Sequence, residues 1–430
     1  MPDHRDSRGE RRPQVHLGVF FTGVGPQLIW ADPSCASHHE IETFVEVAQL
    51  LELGLFDAFF LGEGLRVREN RGKVFDLDVS GRPDAITQLA ELAAVTGRIG
   101  LVATQNATYN YPADLARRLA SLDLISGGRA GWNIVTTDNA WTGGNFRHGG
   151  WLPHERRYKR ATQFAEAAKQ LWEAGAPVDV HTDLVSFRAA PTVPPSLQGR
   201  PVLFQAGDSA GDLRARLAKY GRQPDEVRIL PSASVVVGDT PEEAAEKARW
   251  VRSEQINGPR AIAYLEQYWG TDLSAYDPDG PLPDIEPSPD EIDPSRGTIA
   301  IERRTGKLQL IQSWRDLAAE RGLSIRQLVL EVSCGHATFT GTPGQIADTW
   351  AHYVRTRAVD GFNITPHLLP SALADIVDKV VPELQDRGVY RTHYEGTTLR
   401  EHLALPPLRP APRPLSAGEA ARSVLEKNLI

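Results

Sequence analysis

Short apolar runs alternate with amphipathic stretches along the first half of the chain. Val15 to Phe21 is rich in valine and phenylalanine and is bounded by polar and glycine residues, which predicts a buried strand. His39 to Leu53 carries a helical pattern, and a second apolar run, Leu55 to Leu61, ends in Gly62-Glu63-Gly64. The same order recurs. A helix over Ala85 to Val95 precedes a strand over Ile99 to Thr104, which ends in Gln105-Asn106. A helix over Pro112 to Leu124 precedes a strand over Gly131 to Thr136, which ends in Thr137-Asp138-Asn139. Strands that alternate with helices in this way lie parallel and are joined by crossovers.

The second half is less regular. A long helix runs from Pro153 to Trp172, Gly175 to Gly199 reads as a proline-bearing loop or short hairpin, and Val202 to Ala206 reads as a strand closed by Gly207-Asp208-Ser209. Leu213 to Tyr220 is a short helix, and Val227 to Val237 is another β-branched stretch. Thr240-Pro241-Glu242-Glu243 and Thr342-Pro343-Gly344-Gln345 each offer a helix cap, a first-turn proline and a capping-box residue. Ser274 to Arg296 holds six prolines and many aspartates, so it reads as a long surface loop placed where it could act as a lid. Gly361 to Thr365 is the last strand, and Ala372 to Arg387 is its helix.

The expected organisation is a polar, disordered N-terminal lead over residues 1–14, one domain over 15–405 with an insertion at 274–296, and a C-terminal arm rich in Pro, Arg and Ala over 406–430. No Gly-x-Gly-x-x-Gly follows the first strand, so a dinucleotide-binding sheet loses support. Polar groups gather instead at four strand ends: Glu63, Thr104 to Asn106, Asn133 to Thr137, and Gln205 to Ser209. In a parallel barrel all four converge on one mouth, which favours a pocket with a wet rim and an apolar floor.

Bulk properties narrow the function. A net charge of −8 argues against a nucleic-acid partner. Two cysteines, Cys35 and Cys334, cannot make a disulfide framework, and no apolar run is long enough to span a bilayer, so a cytoplasmic enzyme is expected. Neither Cys334 with His336 nor Cys35 with His38 and His39 has the spacing of a closed metal site, so no metal is expected. Ser209 follows Gly207 at a strand-to-helix junction, where its hydroxyl and the free helix N–H groups could accept a phosphate or serve only as an ordinary cap. His154 and Tyr158 are four apart on a helical pattern and share one face.

Several stretches taken together carry a family resemblance. Leu61-Gly62-Glu63, the run from Ile99 to Tyr109, and above all Ala120 to Thr137 resemble the bacterial luciferase-like flavin-dependent monooxygenases, in the branch of nitrilotriacetate and dibenzothiophene-sulfone monooxygenase large components. Pro201 to Ser209, Asp360 to Ile364 and Val381 to Leu403 are similar too. The resemblance implies an α/β fold, a (β/α)8 TIM-like barrel that binds reduced FMN. It further implies a two-component oxidoreductase in which a separate NAD(P)H:flavin reductase supplies FMNH2. One atom of O2 would then be inserted into a small organic substrate through a flavin C4a-(hydro)peroxide. By motif, Glu63, Thr104, His154, Tyr158 and Ser209 fall at cofactor-binding positions, Glu63 where aspartate is usual; His16, Asn106 and Asn133 are candidates for hydrogen bonds near the ring or substrate.

The chain also departs from that family pattern. Ser209-Ala210-Gly211 runs straight into the helix ending at Lys219-Tyr220-Gly221-Arg222, so the barrel is expected to be shortened around its sixth strand. Closure by residues 175–199 or by a second subunit would answer the exposed edges, and a homo-oligomer is expected. The alternative reading is a catalytically degraded flavin-binding barrel without oxygenase activity; a third is a barrel that uses a deazaflavin for hydride transfer.

Overall fold

The computed structural model describes residues 13–408 except 22–27, 30, 68, 71–72, 75–81, 138–140, 147–151, 175, 207–209, 289–305 and 334–337. Its centre is a curled sheet of seven parallel strands. In chain order these are β1 (His16–Phe21), β2 (Ala58–Leu61), β3 (Gly100–Asn106), β4 (Ala130–Val135), β5 (Val202–Gln205), β6 (Ser232–Ala233) and, later, β9 (Gly361–Ile364). Their spatial order is β6-β9-β1-β2-β3-β4-β5. Between β6 and β9 in sequence, β7 (Val235–Val237) pairs in parallel with β8 (Phe339–Gly341).

Helices cover the outside. They are α1 (Ile41–Leu53), α2 (Ala85–Val95), α3 (Pro112–Ile125), α4 (His154–Glu173), α5 (Ala210–Lys219), α6 (Pro241–Glu254), α7 (Gly258–Trp269), α8 (Lys307–Arg321), α9 (Ile325–Ser333) and α10 (Pro343–Arg355). The last elements among the described residues are α11 (Ser371–Asp375), a π turn over Ile376–Val380, α12 (Val381–Asp386) and α13 (Leu399–His402). Because strand side chains alternate, each strand divides its residues between two cores. Leu17, Val19, Phe59, Leu61, Leu101, Ala103, Trp132 and Ile364 join the helices outside, whereas Ala58, Phe60, Val102, Val202 and the partly buried Phe20 and Phe204 point inward.

The predicted gap is present. β5 and β6 are the two ends of the sheet, and among the described residues no strand stands between them. The chain crosses this gap as α5 and an irregular segment that lies along β9, with Asp360 N donating to Ile229 O (2.9 Å) and Asn363 N to Pro231 O (2.9 Å). Arg214 of α5 pairs with Asp360 at 3.0 Å and so ties the helix to the entry of β9. Residues 178–189 do not close the gap. They form an antiparallel hairpin whose Val180 and Val185 join the core outside the barrel.

The stretch from α7 to α9, which contains residues 274–296, has its own core. Trp269, Tyr268, Trp314, Leu265 and Leu328 pack α7, α8 and α9 together, with the Tyr268 and Trp314 rings 4.5 Å apart. The Pro/Asp-rich stretch is fastened to these helices as far as Ser288: Ile325 N donates to Gly280 O (3.0 Å), Arg326 N to Pro278 O (2.8 Å) and Ser288 N to Trp269 O (2.7 Å). Residues 289–296 of the expected lid lie outside the described residues.

Local signals in the sequence explain the helix ends. Thr342 and Gln345 make the anticipated reciprocal cap on α10. At α6 the cap differs by one residue, because Thr240 accepts from Glu243 N while the Glu243 carboxylate takes the N–H of Asp239 (2.9 Å). Arg129 does what no local pattern shows. Its guanidinium donates to Ala93 O, Thr96 O, Ile99 O and Ser126 O at 2.7–3.0 Å, satisfying carbonyls that α2 and α3 leave open at their ends together with that of Ile99 just before β3.

Candidate active site

The barrel interior is layered along its axis. At the N-terminal end the segment after α12 forms a plug. Leu399 inserts between Gly100 and Gly131; a β-carbon at Gly100 would collide with Leu399 and would stand 2.7 Å from the Asp57 carbonyl. Beneath it lies an ion-pair cluster. Asp57, fully buried, receives Arg391 (2.5 Å), His16 Nδ1 (3.0 Å) and Leu17 N (2.8 Å). Burial pushes the Asp57 carboxyl up, but the Arg391 guanidinium and His16 beside it more than offset this and hold it at about 2. Next along the axis come the rings of Phe20, Phe60 and Phe204, with Phe60 and Phe204 edge-to-face at 4.8 Å.

Above the rings the interior turns polar. Thr104 and Asn133 face each other across the β3–β4 register, and Asn133 Nδ2 donates to Thr104 Oγ1 (3.1 Å), which leaves the threonine hydrogen to donate into the barrel interior. At the end of β2, Glu63 Oε2 accepts from both Asn106 N (2.8 Å) and Asn106 Nδ2 (2.9 Å). Burial outweighs these bonds and pushes the Glu63 carboxyl up to about 7. Across the mouth, Ser232 and Thr365 hydroxyls pair at 3.0 Å. Deeper in the barrel, beside Gly18 and the Phe60 ring, Asn363 Oδ1 is buried with no partner among the described residues. Loops knit the rim, with Tyr109 stacked on Phe146 at 4.7 Å and Asn145 donating to Leu65 O (2.9 Å).

The sequence-derived candidates therefore separate. Glu63, Thr104, Asn106 and Asn133 stand at the C-terminal ends of their strands. His16 does not join them. It opens β1 at the opposite end of the barrel, where Asp57 holds its ring in the plug. Asn106 is at the mouth, but its amide is spent on Glu63 and, through Oδ1, on Tyr109 N (2.8 Å), so it positions the carboxylate rather than facing a ligand.

Tyr158 lies exposed near the start of α4. Arg160 holds that end of the helix against the loop leaving β3, donating to Ala107 O (2.9 Å) and Asn110 O (3.1 Å). That guanidinium is occupied by carbonyls and is not spare charge for a phosphate. His154 is the first residue of α4, and Ser209 lies outside the described residues. Sequence reasoning missed Asn363 and Ser232, whose strand parity alone could have marked them as facing inward.

A flat ring with a polar edge fits this arrangement: aromatic rings beneath, hydroxyl and amide groups around, and an unmatched buried carbonyl at Asn363. Among the described residues no His, Cys, Asp or Glu cluster could hold a metal ion, and no helix is long and apolar enough to cross a membrane.

A parallel barrel with a polar C-terminal mouth defines the class: an enzyme scaffold built to hold a cofactor and a small substrate. Comparison with known proteins makes this specific. The luciferase-like monooxygenase model matches residues 16–211 and 205–360, two matches that meet where the strand is missing. N-acetyl-S-(2-succino)cysteine monooxygenase of Bacillus subtilis (strain 168) is 36% identical over 449 aligned positions, covering 92% of this chain and 97% of that protein. Those 449 positions exceed the 430 residues here, so the relative carries residues that this chain lacks. Nitrilotriacetate monooxygenase component A of Aminobacter aminovorans is 35% identical, covering 91% and 96%. The solved EDTA monooxygenase from Chelativorans sp. BNC1 superposes with a TM-score of 0.68 at 27% identity, covering 92% of this chain and 100% of that one.

The chain belongs to the luciferase-like monooxygenase family. It is a reduced-flavin-dependent monooxygenase that uses FMN, of the kind paired with a separate reductase.

Proposed function

We propose that the polar mouth holds reduced FMN over the phenylalanine layer and oxidises a small organic substrate there, in the cytoplasm, with electrons supplied by a partner flavin reductase. The observation that carries this reading is the Thr104–Asn133 and Glu63–Asn106 layer set directly above Phe20, Phe60 and Phe204. Thr104 and Asn133 would meet the polar edge of the ring, and Glu63 would border it. His154, Tyr158 and Ser209 would serve the ribityl and phosphate end. When bound, reduced FMN supplies the activation of oxygen. The protein's part is to exclude water, orient the substrate and present fixed dipoles.

The test is an anaerobic titration with reduced FMN followed by admission of air. Tight binding, with flavin reoxidation slower than that of free reduced FMN, is the expected result. A folded protein that leaves added reduced FMN unbound would overturn the reading.

Glu63 gives a second check that needs no cofactor. Its folded carboxyl titrates near 7, above the ordinary carboxylate range, so the native state keeps a proton that the unfolded chain has already lost. The stability conferred by that proton is complete below the ordinary carboxylate range and is lost as pH rises through about 7. Glu63→Gln cannot ionise. Its unfolding midpoint relative to the parent should rise between pH 5 and pH 8.5; a flat difference would show that Glu63 is already ionised at pH 5.

A further inference from the structure

Outside the barrel, a cleft of about 250 Å³ runs between α3, the end of α4 and residues 189–201. Ala113, Ala116 and Ala120 form its floor, and Trp172, Pro191, Pro194 and Pro195 line its walls. Its charges are already matched. Arg117 pairs with Asp114 and Arg200 with Glu173, both at 2.8 Å, and the buried Asp123 carboxylate accepts from Ser196 (2.5 Å) and Gln198 (2.6 Å). The cleft therefore presents apolar surface with little net charge.

The chain itself arrives at this cleft. α13 crosses residues 196–200, with Arg400 N donating to Gln198 Oε1 (3.2 Å) and Arg400 Nη1 to Pro406 O (3.2 Å). Leu408, where the described residues end, lies against Gly199, 3.4 Å from where a β-carbon would stand, and Gly199 is part of the cleft's lip. Next in sequence is Arg409-Pro410-Ala411-Pro412-Arg413-Pro414-Leu415. Alternating prolines favour an extended course of about 3.1 Å per residue with little entropy to lose, so these residues can reach roughly 20 Å. The alanine floor, at about 1.5 Å per helical residue, is roughly 10 Å long.

We propose that residues 409–415 lie along this cleft in the same chain, running from Gly199 toward Ala113 and covering the alanine face of α3. Proline rings against Trp172 and the three wall prolines give an apolar contact of the kind that recognises extended proline-rich chains. Attachment at Leu408 supplies the segment at an effective concentration in the millimolar range, so a weak contact suffices.

Hydrogen exchange on the full chain tests this. Pro412→Asp with Leu415→Asp should speed amide exchange across residues 189–200 about tenfold. A free peptide of residues 406–418 should restore the protection in that variant, and should fail to do so once Ala120→Phe fills the cleft. Unchanged exchange in the Pro412→Asp/Leu415→Asp variant would overturn the proposal. So would parental protection that falls on hundredfold dilution, because the arm would then come from a second copy.

Discussion

Replacing Arg391 by methionine is expected to cost about 3–5 kcal/mol of stability, the range for breaking a buried ion pair by removing one partner. Asp57 has no access to solvent, and without Arg391 its partners among the described residues would be His16 and the Leu17 N–H. Urea unfolding at pH 7 should show the loss as a lowered midpoint. Lowering the pH should reduce the difference, since the parent's Asp57 loses its advantage only as pH falls toward about 2, whereas the variant's carboxyl, pushed up by burial alone, takes a proton earlier and sheds its unpaired charge. Asp57→Asn added to Arg391→Met should recover part of the loss, because the two groups act as one unit. Additive losses in that double variant would mean that the pair contributes no coupling and that the plug is held by Leu399 and Leu403.

Asn133→Leu should weaken binding of reduced FMN by about tenfold, close to the value of one hydrogen bond. Asn133 is almost buried on the inward face of β4 and steadies Thr104, so leucine removes a donor and releases the threonine hydroxyl at once. Thr104→Val should give a loss of the same size, and the double variant less than the sum of both. Unfolding free energies within about 1 kcal/mol of the parent would separate this from misfolding. Equal affinity in parent and variants would place the flavin elsewhere than over the β3–β4 register.

The same two sites mark how far the sequence reaches. The strand–helix alternation from Val15 to Thr136 and the polar ends at Glu63, Thr104 and Asn133 are local patterns, and the strands and helices form within a few residues of where the pattern places them. The missing strand was also legible, because a whole βα step is absent after Ser209 and the sheet ends at β5 and β6 accordingly.

His16 shows the limit. Strand parity puts it on the inward face, as it does Thr104, but parity says nothing about which end of the barrel a residue occupies. The side chain that decides its role, Arg391, meets Asp57 from 334 positions away. Asn106 was legible as polar and near the mouth, yet whether its amide faces a ligand or Glu63 depends on where the loop leaving β2 passes the end of β3. What the sequence by itself determined is the alternation that makes a parallel sheet, the family, and the residues at its strand ends. Only the tertiary structure decided that the C-terminal segment plugs the barrel, that His16 belongs to that plug, and that the gap is bridged by α5 and the segment along β9. Those outcomes rest on contacts between residues far apart in the chain, which no local pattern encodes.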